Sequence, residues 1–303
     1  MTTNADMFAN LPTQLFGYDV IEPIGEGAGS LIYAVSDPAT KQIYALKHVV
    51  RREERDARFI EQLEAEFEIG RLVSHPGLRK TIDFKVERTM LRKITSAALI
   101  LELFDGRPLE FELPANLPDL VTVFIRTGEA LEHLHNLGYI HCDLKPNNIM
   151  LGAGAVKVID LGQGCKVGTV KERIQGTPDY IAPEQVRCDP LTLRTDVFNF
   201  GATMYWCMTG GQKLPTAYTV QKGGENSFLV DDVIKTPHEI NPSIPEPLSN
   251  LVMECVRTNP NRRPADFKEI VPRLEVMHHL ASKHTHPAPE AESPLASPQA
   301  VQV

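Results

Sequence analysis

The segment HCDLKPNNIM, at positions 141–150, concentrates polar residues whose side chains could act together in chemistry. Asp143 can accept a proton, Lys145 supplies a fixed positive charge, and Asn148 offers an amide oxygen that can bind a metal ion. The lysine lies two positions and the asparagine five positions after the aspartate, so a loop can direct all three side chains toward one point. The alternative interpretation is a polar loop on the surface.

A further carboxylate stands at the end of an apolar run. The segment VKVIDLG (156–162) predicts a strand that delivers Asp160 just before a Leu-Gly pair. A carboxylate in that position suits Mg²⁺, which prefers oxygen ligands. Transfer of a phosphoryl group requires mainly positioning and charge stabilisation from the protein, and these side chains supply both. The surface-loop interpretation is therefore weaker.

The glycine-rich segment IGEGAGSLIYAV (24–35) could hold a phosphate group. Its glycines allow tight turns and let backbone N–H groups approach a ligand closely, although ordinary turns share this composition. Strand-forming residues follow, whereas a dinucleotide-binding loop leads into a helix, and the Gly-Lys-Ser/Thr ending of a Walker loop is absent. Lys47 ends the next strand, YALK, where a solvent-exposed strand end is the simpler interpretation of that residue alone.

A β-rich region followed by a mainly helical region must position these residues. Short strand-like runs predict an antiparallel meander over residues 18–50. Apolar residues at three- and four-residue spacing predict a helix over 53–73, and a buried strand is expected over 97–104. A second helical region begins near residue 118, and mainly helical structure is expected to continue to about residue 280.

Composition limits the possible partners. The chain has 303 residues, of which 42% are hydrophobic and 23% charged, so it can bury a substantial core. A net charge of -8 argues against a nucleic-acid partner, because phosphate backbones attract clustered lysine and arginine. The 5 cysteines are odd in number and form no CxxC pair, which predicts a reducing, cytoplasmic location. The apolar runs are too short to span a bilayer.

Taken together, these ordered motifs resemble the protein kinase superfamily, and specifically the Hanks-type serine/threonine kinases of bacteria. The resemblance implies an α+β, bilobal protein kinase fold. The small N-lobe, over residues 18–104, would hold an antiparallel β-sheet with one helix, and the larger C-lobe, over 105–280, would be mainly helical. An N-terminal extension (1–17) and a disordered tail rich in proline, alanine and serine (281–303) would flank the domain.

The resemblance also implies two substrates, ATP and a protein, together with Mg²⁺. The catalytic residues would be Asp143, Lys145 and Asn148, and the metal ligands Asn148 and Asp160. Lys47 would hold the ATP phosphates and pair with a helix glutamate; Glu66 is the best candidate, with Glu64 and Glu68 nearby. The positions implied to bind the nucleotide are Ile24, Gly25, Glu26, Gly27, Ala28, Gly29, Ser30, Leu31, Ile32, Lys47, Glu66, Glu102 and Phe104.

Further motifs imply contacts that hold the C-lobe together. GTPDYIAPE (176–184) resembles the end of an activation loop, which implies that Thr177 bonds near the catalytic loop. The resemblance also implies that Glu184 forms a buried ion pair with Arg263, or with the neighbouring Arg262, and that Asp196 accepts backbone N–H bonds from the catalytic loop. A serine at position 30 replaces the third glycine usual in the family.

The chain departs from the family at Cys142, where most relatives place an arginine that helps to hold a phosphorylated activation loop. Cys165 occupies another position that often contributes to the same pocket. We therefore hypothesise that activity does not require phosphorylation of the loop. The two thiols could form a disulfide, or they could simply be small buried side chains that fill an unused pocket.

Two classes of function remain in view. The first is an active protein kinase. The second is a pseudokinase, a nucleotide-binding signalling scaffold, although Lys47, Asp143, Asn148 and Asp160 are all present. A small-molecule kinase is disfavoured by the segment GTPDYIAPE.

Overall fold

The computed structural model describes residues 11–27, 29–216 and 234–285. Its first part is an antiparallel sheet in the order β1-β2-β3-β4-β6-β5, in which the predicted meander provides three central strands. The strands are β1 (Gln14–Leu15), β2 (Tyr18–Gly27), β3 (Ser30–Ser36), β4 (Ile43–Val50), β5 (Thr81–Arg88) and β6 (Ile94–Glu102). The sheet's one long connection contains helix α1 (Ala57–Gly70).

Side chains of each strand alternate between the two faces of this sheet. Other parts of the chain pack against both faces. On one face, Ala45 and Leu99 pack against Ile60 and Leu63 of α1. On the other face, a second cluster around Tyr33 and its neighbours packs against the N-terminal residues of the described chain. The alternation in β4 therefore places Lys47 on the α1 side, two positions from Ala45 and from Val49.

The second part is mainly helical and surrounds a large apolar core. The helices are α2 (Leu117–Asn136), α3 (Pro183–Arg187), α4 (Leu193–Met208), α5 (Pro237–Ile240), α6 (Glu246–Cys255) and α7 (Phe267–Thr285). Helix α2 begins where the Asn116 side chain accepts a hydrogen bond from the backbone of Asp119, and it ends just before Gly138, whose φ is 80°. Phe124 of α2 packs edge-on against Phe200 of α4.

Short strands lie before α2 and between α2 and α3. One small sheet has the order β10-β9-β7, formed by β7 (Arg107–Pro108), β9 (Ile149–Gly152) and β10 (Ala155–Val158). The other pairs β8 (Tyr139–Ile140) with β11 (Cys165–Lys166). These hairpin-like pairings fix the two loops that carry Asp143 and Asp160. A β-sheet lobe followed by a helical lobe confirms the predicted α+β, bilobal organisation.

The ends of the elements differ from the sequence-based expectations by a few residues. Helix α7 extends to Thr285, beyond the expected domain end at residue 280. The first helix is shorter than predicted, since a 3₁₀ turn (Glu54–Asp56) precedes α1 and α1 ends at Gly70. Residues 1–10 of the expected extension and 286–303 of the expected tail lie outside the described residues. Within the described ranges, no helix combines the length and the apolar character needed to cross a lipid bilayer.

Candidate active site

A cleft of about 610 Å³ opens between the β-sheet and the helical part. Residues from both parts line it, so the fold brings together positions that are far apart in sequence. The predicted site residues among them are Ile24, Gly25, Glu26, Gly27, Ser30, Ile32, Lys47, Glu66, Phe104, Asp143, Lys145, Asn148 and Asp160.

Among the described residues, three predicted nucleotide-binding positions do not line the cleft, namely Gly29, Leu31 and Glu102. Ala28 lies outside the described residues. Gly29, with a φ of 80°, packs so closely on Phe59 of α1 that an added Cβ would lie 2.6 Å from the ring. The Leu31 side chain lies on the opposite face of β3, in the cluster around Tyr33, because residues alternate along a strand. The Leu31 side chain therefore does not face the cleft, and a nucleotide contact of this residue stays a prediction.

Lys47 connects two carboxylates across the cleft. Its Nζ donates to Glu66 Oε2 at 2.7 Å and to Asp160 Oδ1 at 2.9 Å. The glutamate partner on α1 is thus Glu66, not Glu64 or Glu68. Burial by itself would lower the pKa of Lys47, but the charges of Asp160 and Glu66 outweigh burial and raise that pKa above its ordinary value. Burial likewise opposes ionisation of Asp160, yet Lys47 holds the pKa of that carboxyl below its usual range.

The catalytic-loop residues form a closed hydrogen-bonded group. Lys145 Nζ donates to Asp143 Oδ2 at 3.0 Å and to Thr177 Oγ1 at 2.8 Å. The Thr177 hydroxyl in turn donates to Asp143 Oδ1 at 2.7 Å. Asn148 Nδ2 donates to the backbone oxygen of Asp143 at 2.8 Å, which orients the asparagine. The expected contact of Thr177 with this loop is confirmed.

Asp196 of α4 supports this loop from below. Its fully buried carboxylate accepts backbone N–H bonds from His141 and Cys142, each at 2.8 Å, as predicted. His135 Nε2 lies 2.9 Å from the same carboxylate. A buried carboxylate that accepts several hydrogen bonds fixes the backbone just before Asp143, and so aims the Asp143 side chain into the cleft.

The side-chain oxygens around the cleft fit Mg²⁺. The Asn148 amide nitrogen is used by the loop, which leaves its Oδ1 available, and both hydrogen bonds found on Asp160 fall on Oδ1, which leaves Oδ2. One or two protein oxygens completed by substrate phosphates are a usual Mg²⁺ environment. Within the described part of the chain, no cluster of three or more His, Cys, Asp or Glu residues could hold a metal ion, and a site of this kind needs none.

A residue that the sequence analysis missed contacts the hinge, which is the segment around Glu102 and Phe104 that connects the two parts. Arg79 lines the cleft, and its Nε donates to the backbone oxygen of Glu102 at 3.1 Å. The Glu102 side chain faces elsewhere and pairs with Lys157 at 2.9 Å. Burial lowers the pKa of Arg79, while nearby carboxylates oppose that effect. Its signal in the sequence is a basic residue directly after the buried Leu78 and two positions before β5, which begins at Thr81.

The comparisons with known proteins agree with this geometry. The chain belongs to the protein kinase family, because the family model described as the protein kinase domain matches residues 18–279. That range spans both parts of the fold and every predicted site residue.

Several named relatives are serine/threonine-protein kinases. The chain is 28% identical over 292 residues to serine/threonine-protein kinase PknD of Chlamydia felis, covering 85% of this chain and 30% of that protein. It is 23% identical to a probable serine/threonine-protein kinase of Clostridium acetobutylicum, over 85% of this chain and 39% of the relative. It is also 30% identical to serine/threonine-protein kinase TIO of Arabidopsis thaliana, over 80% of this chain and 19% of the relative. The chain thus spans about a third of the length of its Chlamydia relative.

Proposed function

We propose that this domain is an active serine/threonine protein kinase that transfers the γ-phosphate of ATP to hydroxyl groups of protein substrates. The observation that carries the proposal is the double ion pair of Lys47 with Glu66 and Asp160 in the same cleft as Asp143 and Lys145. A cation, a metal-binding carboxylate and a proton acceptor are thereby gathered around one space that is large enough for a nucleotide.

The chemistry follows from the roles of two side chains. Asp143 accepts the proton of the substrate hydroxyl as the hydroxyl oxygen bonds to the γ-phosphorus, and the bond from that phosphorus to the bridging oxygen of ADP breaks. Lys145 stands 3.0 Å from Asp143 and neutralises charge on the transferred group. Thr177 holds both side chains in this arrangement through its hydroxyl.

Nucleotide binding would use the sheet and the hinge. Backbone N–H groups of the Gly25–Gly27 segment would bind phosphates, and Lys47 would bind the α- and β-phosphates. Ile24 and Ile32 border the base, with hinge hydrogen bonds from the backbone of Glu102 and Phe104. Mg²⁺, held by Asn148 and Asp160, would neutralise phosphate charge.

The nature of the substrate and the cellular location are supported less directly. The names of the relatives and the wording of the DLKPNN segment favour serine and threonine hydroxyls on proteins. All five cysteines are free, which agrees with a cytoplasmic domain.

We further propose that activity does not depend on activation-loop phosphorylation. Cys142 cannot supply the cation that would bind a phosphate group. The loop is instead held by backbone hydrogen bonds, from Val167 to Gly138 at 3.0 Å and from Gly168 to Leu191 at 2.7 Å. These bonds need no modification.

The rival function is a nucleotide-binding scaffold without phosphotransfer. Replacement Asp143→Asn separates the two, because it removes the base and preserves the shape of the side chain. We expect kcat for a generic protein acceptor to fall about 10²–10⁴-fold, with ATP affinity retained. Asp189→Asn, on the surface, is the control. Equal phosphate incorporation by wild type and Asp143→Asn would overturn the assignment of a catalytic base.

A further inference from the structure

Two thiols meet directly behind the catalytic base. The Sγ atoms of Cys142 and Cys165 lie 3.7 Å apart, although the residues are 23 positions apart in sequence. Cys142 immediately precedes Asp143. Cys165 begins β11 and lies in the segment between Asp160 and Glu184, which we call the activation segment. The proposed reaction uses neither thiol, so the contact calls for a separate explanation.

The backbone holds both cysteines in place. The N–H of Cys142 donates to Asp196 at 2.8 Å, and its carbonyl oxygen accepts from Gln185 at 2.7 Å. Cys165 pairs with Ile140 across the β8–β11 ladder. Because both backbones are anchored, the thiols stay near each other, and bond formation requires rotation of the side chains rather than rearrangement of the loops.

The two thiols differ in exposure and reactivity. Cys165 is partly exposed, whereas Cys142 is buried at 2% exposure. The hydrogen bond from the Cys142 thiol, helped by the charge of Lys171, lowers the pKa of Cys165 to about 7. The same hydrogen bond and burial raise the pKa of Cys142. A partly exposed thiolate beside a buried thiol is the arrangement of a peroxide-reactive cysteine with its resolving partner.

The other cysteines lack this arrangement. Cys207 and Cys255 are buried, and burial raises the pKa of Cys255 to about 12 and that of Cys207 further still. Cys188 is partly exposed, and no thiol contact is found for it within the described residues. Cys188 therefore offers a matched control for exposure without a partner.

We propose that Cys142 and Cys165 are a redox modification site, at which a hydroperoxide converts the two thiols into a reversible disulfide. The Cys165 thiolate attacks a peroxide oxygen; an S–O bond forms, the O–O bond breaks, and hydroxide leaves. The Cys142 sulfur then attacks the sulfenic sulfur; the S–S bond forms, the S–O bond breaks, and the departing hydroxide takes the Cys142 proton as water. With hydrogen peroxide, two thiols lose two electrons in total and one peroxide becomes two waters.

The disulfide would tie the catalytic loop to the activation segment. The thiols already meet while Asp143, Lys145 and Thr177 are assembled, so the bond preserves that assembly. Oxidation should therefore raise the thermal unfolding midpoint by several degrees, since a cross-link restricts the unfolded chain. Activity should be kept within about twofold, an expectation that rests on the proposed kinase function.

The test treats the full chain with stoichiometric hydrogen peroxide, alkylates free thiols, and examines non-reduced peptides by mass spectrometry. We expect a peptide pair cross-linked through Cys142 and Cys165, with both thiols recovered after dithiothreitol, in wild type and in Cys188→Ser. In Cys142→Ala, a dimedone probe should trap sulfenic acid on Cys165. In Cys165→Ser, the remaining thiols should survive the same dose.

Two results would overturn the proposal. One is oxidation of Cys165 to sulfinic acid in wild type while Cys142 stays free. The other is equal loss of thiols in Cys165→Ser and in wild type. The peptide readout needs no enzyme activity, so an inactive but cross-linked protein would count against the kinase function and leave the redox site standing. A cross-linked protein that loses most of a measurable activity would refute the predicted effect of the bond on the assembled site.

Discussion

At the scale of single residues, the positive charge of Lys47 balances the negative charges of two carboxylates that would otherwise repel each other. Glu66 is nearly fully buried, with a side-chain exposure of 4%, whereas 44% of the Asp160 side chain is exposed. The loss of Lys47 would therefore be felt most strongly at Glu66, which would keep a buried charge without a partner.

Replacement Lys47→Met should lower the free energy of unfolding by about 3 kcal/mol at pH 7.5, a value typical of breaking a buried pair. Urea denaturation followed by fluorescence measures the loss. Lys93→Met is the matched control, because Lys93 pairs with Glu54 on the surface and such pairs contribute about 0–1 kcal/mol. If Lys47→Met lowers the free energy of unfolding no more than the control does, water must fully solvate the Glu66 carboxylate in the variant.

The stability loss of the same variant should grow as the pH rises above about 4.3. Burial already raises the pKa of Glu66, and Lys47 is the main group that lowers it. Without Lys47, the folded-state pKa lies further above the unfolded value of about 4.3, so stability falls as the pH rises from that value through the folded pKa. The loss measured at pH 5 should be smaller than the loss at pH 7.5, and equal losses would contradict the mechanism.

Arg79 competes for a hydrogen-bond acceptor in the hinge. Its Nε donates to the backbone oxygen of Glu102, a residue whose backbone the proposed function gives a hydrogen bond to the nucleotide. Replacement Arg79→Leu should free that oxygen and lower the KM for ATP about 2- to 10-fold, the value of one net hydrogen bond. Steady-state kinetics would measure it, with Lys80→Leu, at the exposed neighbouring position, as the control. A raised KM would instead show that Arg79 supports the hinge.

At the scale of elements, the first part of the activation segment (165–169) is held by β8 and by Leu191. Its start pairs with β8, and Leu191 beyond its end accepts from Gly168 and donates to Thr169. Thr169 itself uses its hydroxyl to bond the backbone oxygen of Lys166 at 2.7 Å. The segment therefore has its own hydrogen bonds in the unphosphorylated state.

Replacement Thr169→Ala tests this directly. The variant loses one hydroxyl contact, worth about 1 kcal/mol, and keeps the backbone bonds, so we expect kcat within about threefold of wild type. Thr177→Ala is the contrasting variant, since that hydroxyl bonds Asp143 and Lys145, and should be much slower. An inactive Thr169→Ala enzyme would indicate that phosphorylation at this position is required.

The end of the activation segment is fastened to the base of the helical part by one ion pair. Arg263 donates to the two Glu184 oxygens at 2.7 and 3.0 Å, and both side chains are almost fully buried. Arg263 also donates to the backbone oxygen of Arg194 at 2.9 Å. The partner of Glu184 is thus Arg263, while Arg262 is exposed.

Replacement Arg263→Ala should destabilise the protein by about 3–5 kcal/mol, because it leaves the Glu184 carboxylate buried and unpaired. Arg262→Ala, one position away, should change the free energy of unfolding by less than about 0.5 kcal/mol. Chemical denaturation of both variants measures the difference. Similar values for the two would refute the structural role given to this pair.

At the scale of the whole molecule, the resemblance to the kinase family predicted the two-lobed architecture and most of the residues that line the cleft, because each proposed catalytic residue stands in a recognisable motif or beside a strongly patterned segment. Asp160 ends an apolar run, and Lys47 ends a strand. The choice among Glu64, Glu66 and Glu68 required the three-dimensional structure, since the position of α1 against β4 decides which glutamate contacts Lys47. Arg79 was missed because only folding brings the segment before β5 against the hinge. The contact between Cys142 and Cys165 depends likewise on the β8–β11 pairing.

The cleft lies between the two lobes, so a ligand that contacts both lobes should stabilise the whole chain. At an ATP concentration 100 times its Kd, binding should add about 2.7 kcal/mol to the free energy of unfolding, which corresponds to a rise of about 5 °C in the thermal midpoint. Chelation of Mg²⁺ with EDTA should remove most of this rise, because the metal ion would connect the phosphates to Asn148 and Asp160. Asp160→Asn should respond to ATP equally with and without Mg²⁺, whereas Asp189→Asn should behave as wild type. A midpoint that rises with ATP but ignores Mg²⁺ in the wild type would assign nucleotide binding to Lys47 and the hinge alone, and would contradict the proposed metal site.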